Sequence, residues 1–306
     1  MEIILNLLKV TLEEGIIYAI LAIGVYISYS ILDFPDLSVD GTMPLGAIVT
    51  AVMIIDGMNP WFALLVSFIV GSIFGMITGI LHVKFNIRPL LCGILVSTAL
   101  LSINLVILLK FNGGNSLASF FRATTIFNSG IANLIPSSIF GYNLKVIFVG
   151  TILAVAVKIA FDMYLKTKSG LILRATGNNE RYVCMLGVDA GVSKIIGLAL
   201  GNGFAALSGS IIAQSRGSAD TTMGTGMVVF GLASVIIGVS VLKNCKFMKA
   251  TTMVIIGSIL YKASLTIALA LGLPTEYLKL LMAIIFVIAL VSSDKFTLKV
   301  RRGSNA

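Results

Sequence analysis

The sequence predicts an all-α protein with many membrane-spanning helices, and its composition is the first reason. Of its 306 residues, 58% are hydrophobic and only 11% are charged, whereas a soluble domain carries about 25% charged residues. The second reason is that apolar segments of about 20 residues, long enough to cross a membrane, recur along the chain. No segment alternates apolar and polar residues as a membrane β-barrel does. We therefore expect one polytopic domain covering residues 1–306.

Nine apolar segments account for most of the chain, and they predict about nine transmembrane helices. The second segment is too short to cross alone, so it crosses only together with part of the stretch 33–42. Residues 1–11 form an amphipathic lead, which is typical of a helix lying on the membrane surface. The nine segments run at about 12–32, 43–56, 61–81, 90–110, 144–163, 192–214, 226–242, 250–271 and 277–292.

The basic residues predict the orientation of these helices. They concentrate in the loops 82–89, 164–191 and 243–249 and in the C-terminal tail, which places these regions and the C-terminus in the cytoplasm. The basic residues of the intervening loops are only two, Arg122 and Arg216. The N-terminus has two possible positions. Nine crossings place it outside, whereas eight crossings plus a re-entrant segment 43–56 place it inside.

Several other classes of protein are disfavoured. The net charge of +9 comes from topological loops rather than from a basic stripe with aromatic residues, so nucleic acid is not an expected partner. The cysteines, Cys92, Cys184 and Cys245, lack metal-ligand spacing and are expected to be free thiols. A single histidine and scattered acids argue against a membrane enzyme. The sequence has no selectivity-filter motif of the kind found in channels, which argues against a passive channel. We expect no metal and no cofactor on this chain.

The stretch Phe34-Pro-Asp-Leu-Ser-Val-Asp-Gly-Thr-Met-Pro44 is unusual because it puts carboxylates and prolines between two apolar segments. Its second part resembles Asp220-Thr-Thr-Met-Gly-Thr-Gly-Met-Val-Val229, with the shared pattern D-x-T-M-x-x-G-x-[IV]-V. Each copy follows a long apolar helix and opens the next one. Interrupted helices at matching places in two halves of a chain indicate a transporter's central pathway.

Three interpretations of this stretch remain open from the residues alone. Asp36 or Asp40 caps the helix that follows, with Pro44 in its first turn; or the stretch contacts substrate; or it is an exposed loop. As candidate residues of a substrate pathway we take the polar side chains of both copies, namely Asp36, Ser38, Asp40, Thr42, Asp220 and Thr222.

Within the apolar segments, a few residues indicate how the helices pack. Gly71, Gly75 and Gly79 recur every four residues, a spacing that lets helices approach closely. Asn104 and Asn202 are expected to form hydrogen bonds between helices. Lys262 lies inside the eighth segment, where it either neutralises an acid, faces a pathway or extends outward to the membrane surface.

The loop 164–191 contains a possible docking helix. Residues 179–186 are expected to form a short helix, with Asn178 as its cap and Gly187 just past its end. The residues expected to contact a soluble partner are Arg174, Gly177, Asn178, Glu180, Arg181 and Gly187. The alternative is a basic loop that only fixes topology. No phosphate-binding motif G-x-x-x-x-G-K occurs, so any ATP chemistry belongs to another polypeptide.

Two motifs together resemble a known family. Arg174-Ala-Thr-Gly-Asn-Asn179, followed by Leu186-Gly-Val188 and Leu207-Ser-Gly-Ser-Ile211, resembles the cytoplasmic loop and next helix of bacterial ATP-binding-cassette (ABC) importer permeases of the branched-chain amino acid and ribose type. Asp36-Leu-Ser-Val39 resembles the D-L-S-V-G signature of the sugar branch, but Asp40 replaces its glycine. Leu32 to Gly41 looks closest to a less characterised branch of amino-acid permeases, some of which are associated with tryptophan or tyrosine uptake.

This resemblance, which covers about 12–292, implies a fold and an assembly. The fold would be that of the vitamin-B12-type (type II) permeases. Two inverted halves, about 12–110 and 192–292, would be linked by the helix 144–163 and the coupling loop 164–191. It also implies nine crossings, a homodimer in a bacterial cytoplasmic membrane, a cytoplasmic ATPase that holds ATP and Mg, and an external binding protein or lipoprotein.

The function implied is that of a permease without enzyme activity, importing a small nutrient. An aromatic amino acid is the first expectation, because the extra carboxylate Asp40 suits an amine; a sugar or nucleoside is the alternative substrate. A different class of function stays open, namely an ion-coupled secondary transporter with Asp40 and Asp220 as ion sites.

Overall fold

The computed structural model describes residues 2–121, 123–129, 144–242, 248–274 and 277–303. Within these residues the chain is almost wholly helical, as predicted. The helices are α1 (Glu2–Val25), α2 (Val39–Ile55), α3 (Pro60–Val83), α4 (Pro89–Phe111), α5 (Lys145–Tyr164), α6 (Lys168–Asn178), α7 (Glu180–Met185), α8 (Ala190–Arg216), α9 (Met227–Leu242), α10 (Ala250–Ala270) and α11 (Leu278–Gly303). A π-helix (Tyr26–Ile31) extends α1, and a 3₁₀ turn (Thr221–Gly224) precedes α9.

The predicted membrane helices all correspond to helices of the structure. Among the described residues, seven helices are long and apolar enough to cross a membrane, and Val39–Ile55 and Leu278–Val291 are shorter apolar helices. All nine apolar segments of the sequence fall on these nine elements. The amphipathic lead is different from our expectation, because α1 begins at Glu2 and runs without interruption into the first span.

Helix α8 is the centre of the bundle and packs mainly against α3, α2 and α1. Small residues allow this close packing. The three glycines of α3 lie directly against the backbone or side chains of α8: Gly71 against Asn202 and Ala206, Gly75 against Leu198 and Ala199, and Gly79 against Ile195. Because α8 opens the second half of the chain and packs on the first, the two halves share one core.

The contacts with α8 define the direction of each neighbour. Helix α3 runs antiparallel to α8, because Gly71 lies beside Asn202 and Gly79 beside Ile195. Helix α2 runs parallel to α8, because Thr42 bonds to Asn202 and Thr50 to Ser210.

Helix α1 also runs antiparallel to α8. The Ser208 hydroxyl donates to the Ile17 carbonyl at 3.0 Å, whereas Gly24 lies against Gly201. Since α1 and α3 run the same way, the N-terminus lies at the end of the bundle opposite the loop 84–88. This is the arrangement of the nine-crossing alternative.

The second half repeats this arrangement in the opposite direction. Ser234 and Gly238 of α9 lie against Gly257 and Val254 of α10, so these two helices are antiparallel. Helix α10 is in turn antiparallel to α1, since Ser258 bonds to Gly15 and Leu7 lies near Thr266. Helix α9 therefore runs like α1 and opposite to α2. The pairs α1–α2 and α8–α9 have the inverted relation that the resemblance implied.

The described basic loops gather at one end of the bundle, which we call the basic end. The Lys194 ammonium lies 2.7 Å from Glu180 Oε1 and 3.5 Å from His82 Nε2, which joins α8, α7 and α3 there. Lys249, just before α10, lies 3.0 Å from Asp162 near the end of α5.

A short antiparallel pair of strands lies at the other end. β1 (Leu117–Ser119) pairs with β2 (Ser218–Asp220), so the segment after α4 is bound to the segment after α8. The segment between α4 and α5 is described only in part, since Arg122 and 130–143 lie outside the described residues. Cys92 and Cys184 are free thiols, as expected; Cys245 also lies outside the described residues.

Candidate functional site

The helix break predicted in the stretch Phe34 to Pro44 is confirmed. The π-helix ends at Ile31, and regular structure resumes only at Val39. Asp33 adopts a left-handed conformation with φ 53°, and the Phe34 N–H donates to the Ser28 carbonyl at 2.8 Å. Pro35 then disfavours a helical conformation at Phe34. Single π turns in long helices are frequent at functional sites.

A buried hydrogen-bond network fixes the broken stretch to the middle of α8. Asp36 Oδ1 accepts from the Ser38 backbone N–H at 2.8 Å and lies 2.6 Å from the Ser38 hydroxyl. Asp36 Oδ2 accepts from Asn202 Nδ2 at 2.7 Å, and the Thr42 hydroxyl donates to Asn202 Oδ1 at 2.8 Å. Three donors offset the cost of burying the carboxylate.

Three of the predicted pathway residues thus meet each other around Asn202. Asp36 is 5% exposed, and Ser38, Thr42 and Asn202 are fully buried. Their polar atoms bond to partners within the chain, so this cluster holds the broken stretch and the start of α2 against α8. The expectation for the two asparagines is confirmed, because Asn104 also bonds across helices, from Nδ2 to the Gly41 carbonyl at 3.1 Å.

The Asp40 side chain bonds to a helix that is distant in the sequence. It lies in the first turn of α2, but its carboxylate accepts from the backbone N–H groups of Val228 at 2.8 Å and Gly226 at 3.4 Å. Of the interpretations left open for this stretch, a cap on α2 by Asp40 is therefore wrong, because its side chain caps the start of α9. A negative charge is favourable there, since the N-terminus of a helix carries a partial positive charge.

The two short helices therefore begin at the same place, which we call the helix junction. Thr42 of α2 bonds to Asn202 near the middle of α8, so both helices begin roughly halfway along α8. α2 has 17 residues and α9 has 16. Discontinuous helices that start at mid-depth from two inverted repeats are typical of transporter substrate sites.

Gly224 lets the 3₁₀ turn and α2 approach each other closely at the helix junction. A Cβ at this position would collide with the Asp40 carbonyl oxygen and would lie 2.5 Å from Pro44 Cδ. The 3₁₀ turn therefore packs directly on the backbone of α2, which only glycine permits.

Asp220 and Thr222 form a turn that matches another part of the break. Asp220 Oδ1 accepts from the Thr222 N–H at 2.6 Å and lies 2.5 Å from its hydroxyl. Asp36 and Ser38 make the same pair of bonds. The sequence pattern aligned Asp220 with Asp40, whereas the local geometry aligns it with Asp36, four residues earlier. The structure does not bring Asp220 or Thr222 into the network around Asn202.

Lys262 neutralises an acid, the first of the three roles considered for it. Its ammonium pairs with Glu14 Oε2, and Arg216 Nη2 lies 3.2 Å from Glu14 Oε1. These ion pairs join α1, α8 and α10. Glu14 was not among the predicted residues. The hydroxyl group of Thr50, which lies 2.5 Å from that of Ser210, was not predicted either; no motif marks these residues.

The predicted docking helix exists, but its boundaries differ by one residue. Arg174, Gly177 and Asn178 belong to α6 rather than to a loop, and α7 begins at Glu180. Asn179 is the cap, because its Oδ1 accepts from the Tyr182 N–H at 3.1 Å. Asn178 is the last residue of α6, so the cap is one residue later than predicted.

Beyond α7, Gly187 has a φ of 75° and reverses the chain, as expected for a residue past a helix end. Arg181 is exposed to solvent. Apolar side chains are exposed beside it: Tyr182 is 58%, Met185 83% and Leu186 63% exposed. A small helix with exposed apolar and charged side chains is typical of a docking surface for another protein.

Gly177 links this surface to the helix break. A Cβ on Gly177 would collide with the Ile31 carbonyl oxygen and lie 3.0 Å from Leu32 Cα. The end of α6 therefore packs backbone to backbone on the last residue of the π-helix. Among the described residues, no group of three or more His, Cys, Asp or Glu side chains is arranged to hold a metal ion.

Comparison with known families agrees with this geometry. A family model described as "Branched-chain amino acid transport system / permease component" matches residues 7–290. The chain belongs to this family.

Similar curated proteins place this permease near amino-acid transporters. It is 38% identical over 283 residues to the tyrosine transport system permease protein of Clostridioides difficile (strain R20291), which covers 92% of this chain and 90% of that protein. It is 28% identical to the probable branched-chain amino acid transport permease protein LivH of Methanocaldococcus jannaschii, over 67% of this chain and 66% of that one. The resemblance to the tryptophan and tyrosine branch is thereby confirmed.

A solved structure has a similar fold. The structure titled "PsaBC from Streptococcus pneumoniae in complex with Fab" superposes with a TM-score of 0.51, covering 94% of both chains at 14% identity. At this identity the likeness concerns the fold alone. It agrees with the predicted fold class, an all-α polytopic membrane protein.

Proposed function

We propose that this permease is the membrane-spanning subunit of an ABC importer for an aromatic amino acid, with tyrosine as the first candidate. The observation that carries the proposal is the 38% identity to a tyrosine permease over nearly the whole chain. Sugar permeases for ribose, fructose and allose are more distant, at 24–26% identity. A sugar or nucleoside is therefore the second substrate class.

The proposed orientation follows from the charges of the loops. Basic loops remain on the cytoplasmic side, so the basic end faces the cytoplasm of a bacterial cell. The N-terminus then lies outside, because it is at the opposite end from the loop 84–88. With nine crossings, the C-terminus is cytoplasmic.

The helix junction supplies the groups that an amino acid needs. Asp40 places a carboxylate where it could accept a substrate ammonium, and the first N–H groups of α9 are suited to a substrate carboxylate. In the described conformation the Asp40 carboxylate and the first N–H groups of α9 are hydrogen-bonded to each other. We propose that substrate separates them and takes both places. The sugar branch, which has glycine in place of Asp40, lacks this carboxylate.

The other predicted pathway residues have two roles in this proposal. Asp36, Ser38 and Thr42 hold the junction rigidly through Asn202. Asp220 and Thr222 lie on the segment that leads from the opposite end into the junction, where they guide substrate towards Asp40.

Coupling to ATP is proposed to occur through α6 and α7. A separate ATPase, which holds ATP and Mg, would dock on Arg181, Tyr182, Met185 and Leu186. Because Gly177 packs on Ile31, a displacement of α6 acts directly on the end of the π-helix. This contact gives a short physical route from the docking surface to the broken stretch and the helix junction.

The complete importer would contain further subunits. Two copies of the permease would enclose the pathway at their two-fold axis, two ATPase subunits would bind at the basic end, and an external binding protein or lipoprotein would deliver substrate. The permease itself would perform no chemistry.

Uptake into proteoliposomes tests the proposal. Vesicles that hold the permease with its ATPase and binding protein should accumulate radiolabelled tyrosine only with ATP, and unlabelled tryptophan or phenylalanine should compete better than leucine or ribose. An ATPase variant without its phosphate-binding lysine is the control. Uptake that continues without ATP and stops with an ionophore would instead identify an ion-coupled secondary transporter.

A further inference from the structure

A basic recess at the basic end is separate from the helix junction. A cavity of about 320 Å³ is bounded by Tyr26 of the π-helix, by the end of α5, by α6 and by the start of α10. A second cavity of about 270 Å³ shares Tyr26 and Arg174 with it and extends to Gly177 and Asn178. Because they share these walls, we treat both cavities together as the basic recess.

Positive charge exceeds negative charge in the recess. Lys166, Arg174 and Lys249 line it, and Asp162 is the one carboxylate among its described lining residues. Asp162 already has three partners: Lys249 at 3.0 Å, Lys158 at 3.4 Å and the Thr251 hydroxyl at 2.8 Å. One carboxylate therefore faces three lining cations, and the site as a whole favours an anion.

The start of α10 and a phenolic group in the walls favour the same kind of ligand. Ala250 and Thr251, in the first turn of α10, line the recess, and the preceding Lys249 does not cap this turn with its side chain. The positive end of a helix thus supplements the side-chain cations. Tyr26 adds a phenolic side chain to the wall.

The position of the recess suggests which anion it binds. It lies where the spanning helices α5 and α10 end and begin, and this is the level of lipid headgroups at a membrane surface. Arginine and lysine side chains between such helix ends are suited to phosphate. We infer that the basic recess binds a phosphate group, carried either by an anionic lipid or by free phosphate.

Occupancy of the recess would affect the coupling region. A phosphate bound by Lys166, Arg174 and Lys249 connects α6 to α5 and α10. Since α6 also carries Gly177 and leads directly into α7, the bound anion would hold the docking surface in place.

Lipid binding and thermal stability together test the inference. The full-length permease, purified in mild detergent, is incubated with phosphatidylglycerol or with phosphatidylcholine of the same acyl chains, and bound lipid is counted by native mass spectrometry. In parallel, its unfolding temperature is measured with inorganic phosphate and with chloride at equal ionic strength. Preferential retention of phosphatidylglycerol identifies lipid as the source, and stabilisation by phosphate alone identifies the free anion.

Matched variants locate the binding. Lys166→Gln and Lys249→Gln should each weaken binding by about fivefold, the usual contribution of one cation near an anionic surface. Lys84→Gln, which removes a cation of the basic end outside the recess, should change nothing. Circular dichroism verifies that each variant is folded. Equal retention of both lipids with no effect of phosphate on wild type, or equal losses in all three variants, would overturn the inference.

Discussion

The Asp40 carboxylate accepts a hydrogen bond from the backbone N–H of Val228 at 2.8 Å. A residue in the first turn of one short helix thereby caps another short helix 188 residues later in the sequence. The two inverted halves of the chain are connected by this bond, at the place where both helices are interrupted.

Asp40→Ala and Asp40→Asn should differ. Asp40→Ala removes the cap of α9 and should destabilise the permease by about 1 kcal/mol, measured by thermal unfolding in detergent. Asp40→Asn keeps an acceptor for Val228 and should remain nearly as stable. Both should lower tyrosine uptake by about tenfold or more, because a charged hydrogen bond to the substrate ammonium is lost.

Asp33→Asn is the control for these variants, since Asp33 is an exposed carboxylate in the same stretch. Uptake by Asp40→Asn equal to that of wild type would exclude Asp40 as a substrate contact.

Asn202→Ala should be more destabilising than Asn104→Ala. Asn202 bonds to Asp36 and Thr42, and its removal leaves a buried carboxylate short of a donor, at a cost of about 3 kcal/mol. Asn104 makes one described bond, to the Gly41 carbonyl, so its loss should cost about 1 kcal/mol. Unfolding temperatures of the two purified variants provide the comparison. Equal losses would mean that the network does not hold the broken stretch.

Gly177→Ala should impair coupling. The added methyl group has no room beside the Ile31 carbonyl, so α6 must move, at a cost of about 1–3 kcal/mol. Substrate-stimulated ATP hydrolysis by the assembled importer should decrease. Gly150→Ala is the matched control, because its Cβ would lie 3.6 Å from the nearest atom, and it should leave coupling intact. Normal stimulation in Gly177→Ala would refute the proposed route from α6 to the π-helix.

Met185→Asp should prevent binding of the ATPase without unfolding the permease. The side chain is 83% exposed on the docking surface, so a charge there costs little in the isolated chain but is unfavourable in an apolar interface. Co-purification from detergent measures the effect. Met58→Asp, at an exposed position of the opposite end, should retain the ATPase. If both variants retain it, the docking surface lies elsewhere.

The sequence was sufficient to predict features that depend on local pattern. Apolar segments predicted the helices, Pro35 and the neighbouring carboxylates predicted the break, and the glycine spacing predicted the face of α3 that meets α8. Each of these follows from neighbouring residues alone.

Long-range pairings could not be predicted in this way. Nothing near Asp40 in the sequence indicates Val228, and nothing near Lys262 indicates Glu14, because a side chain's partner depends on how distant helices pack. The alignment of Asp220 with Asp40 failed for a related reason. The longest run of identical residues pairs Asp220 with Asp40, but the same local turn, formed by a D-x-[ST] sequence, occurs at Asp36 and Asp220.

Dependence of this permease on an ATPase subunit is tested by purifying the tagged permease in mild detergent from its native membranes and then assaying ATP hydrolysis. We expect a co-purifying ATPase subunit with a phosphate-binding motif, whose activity in the presence of the binding protein increases when tyrosine is added. A permease that purifies alone and transports tyrosine without ATP, in a manner abolished by an ionophore, would contradict it.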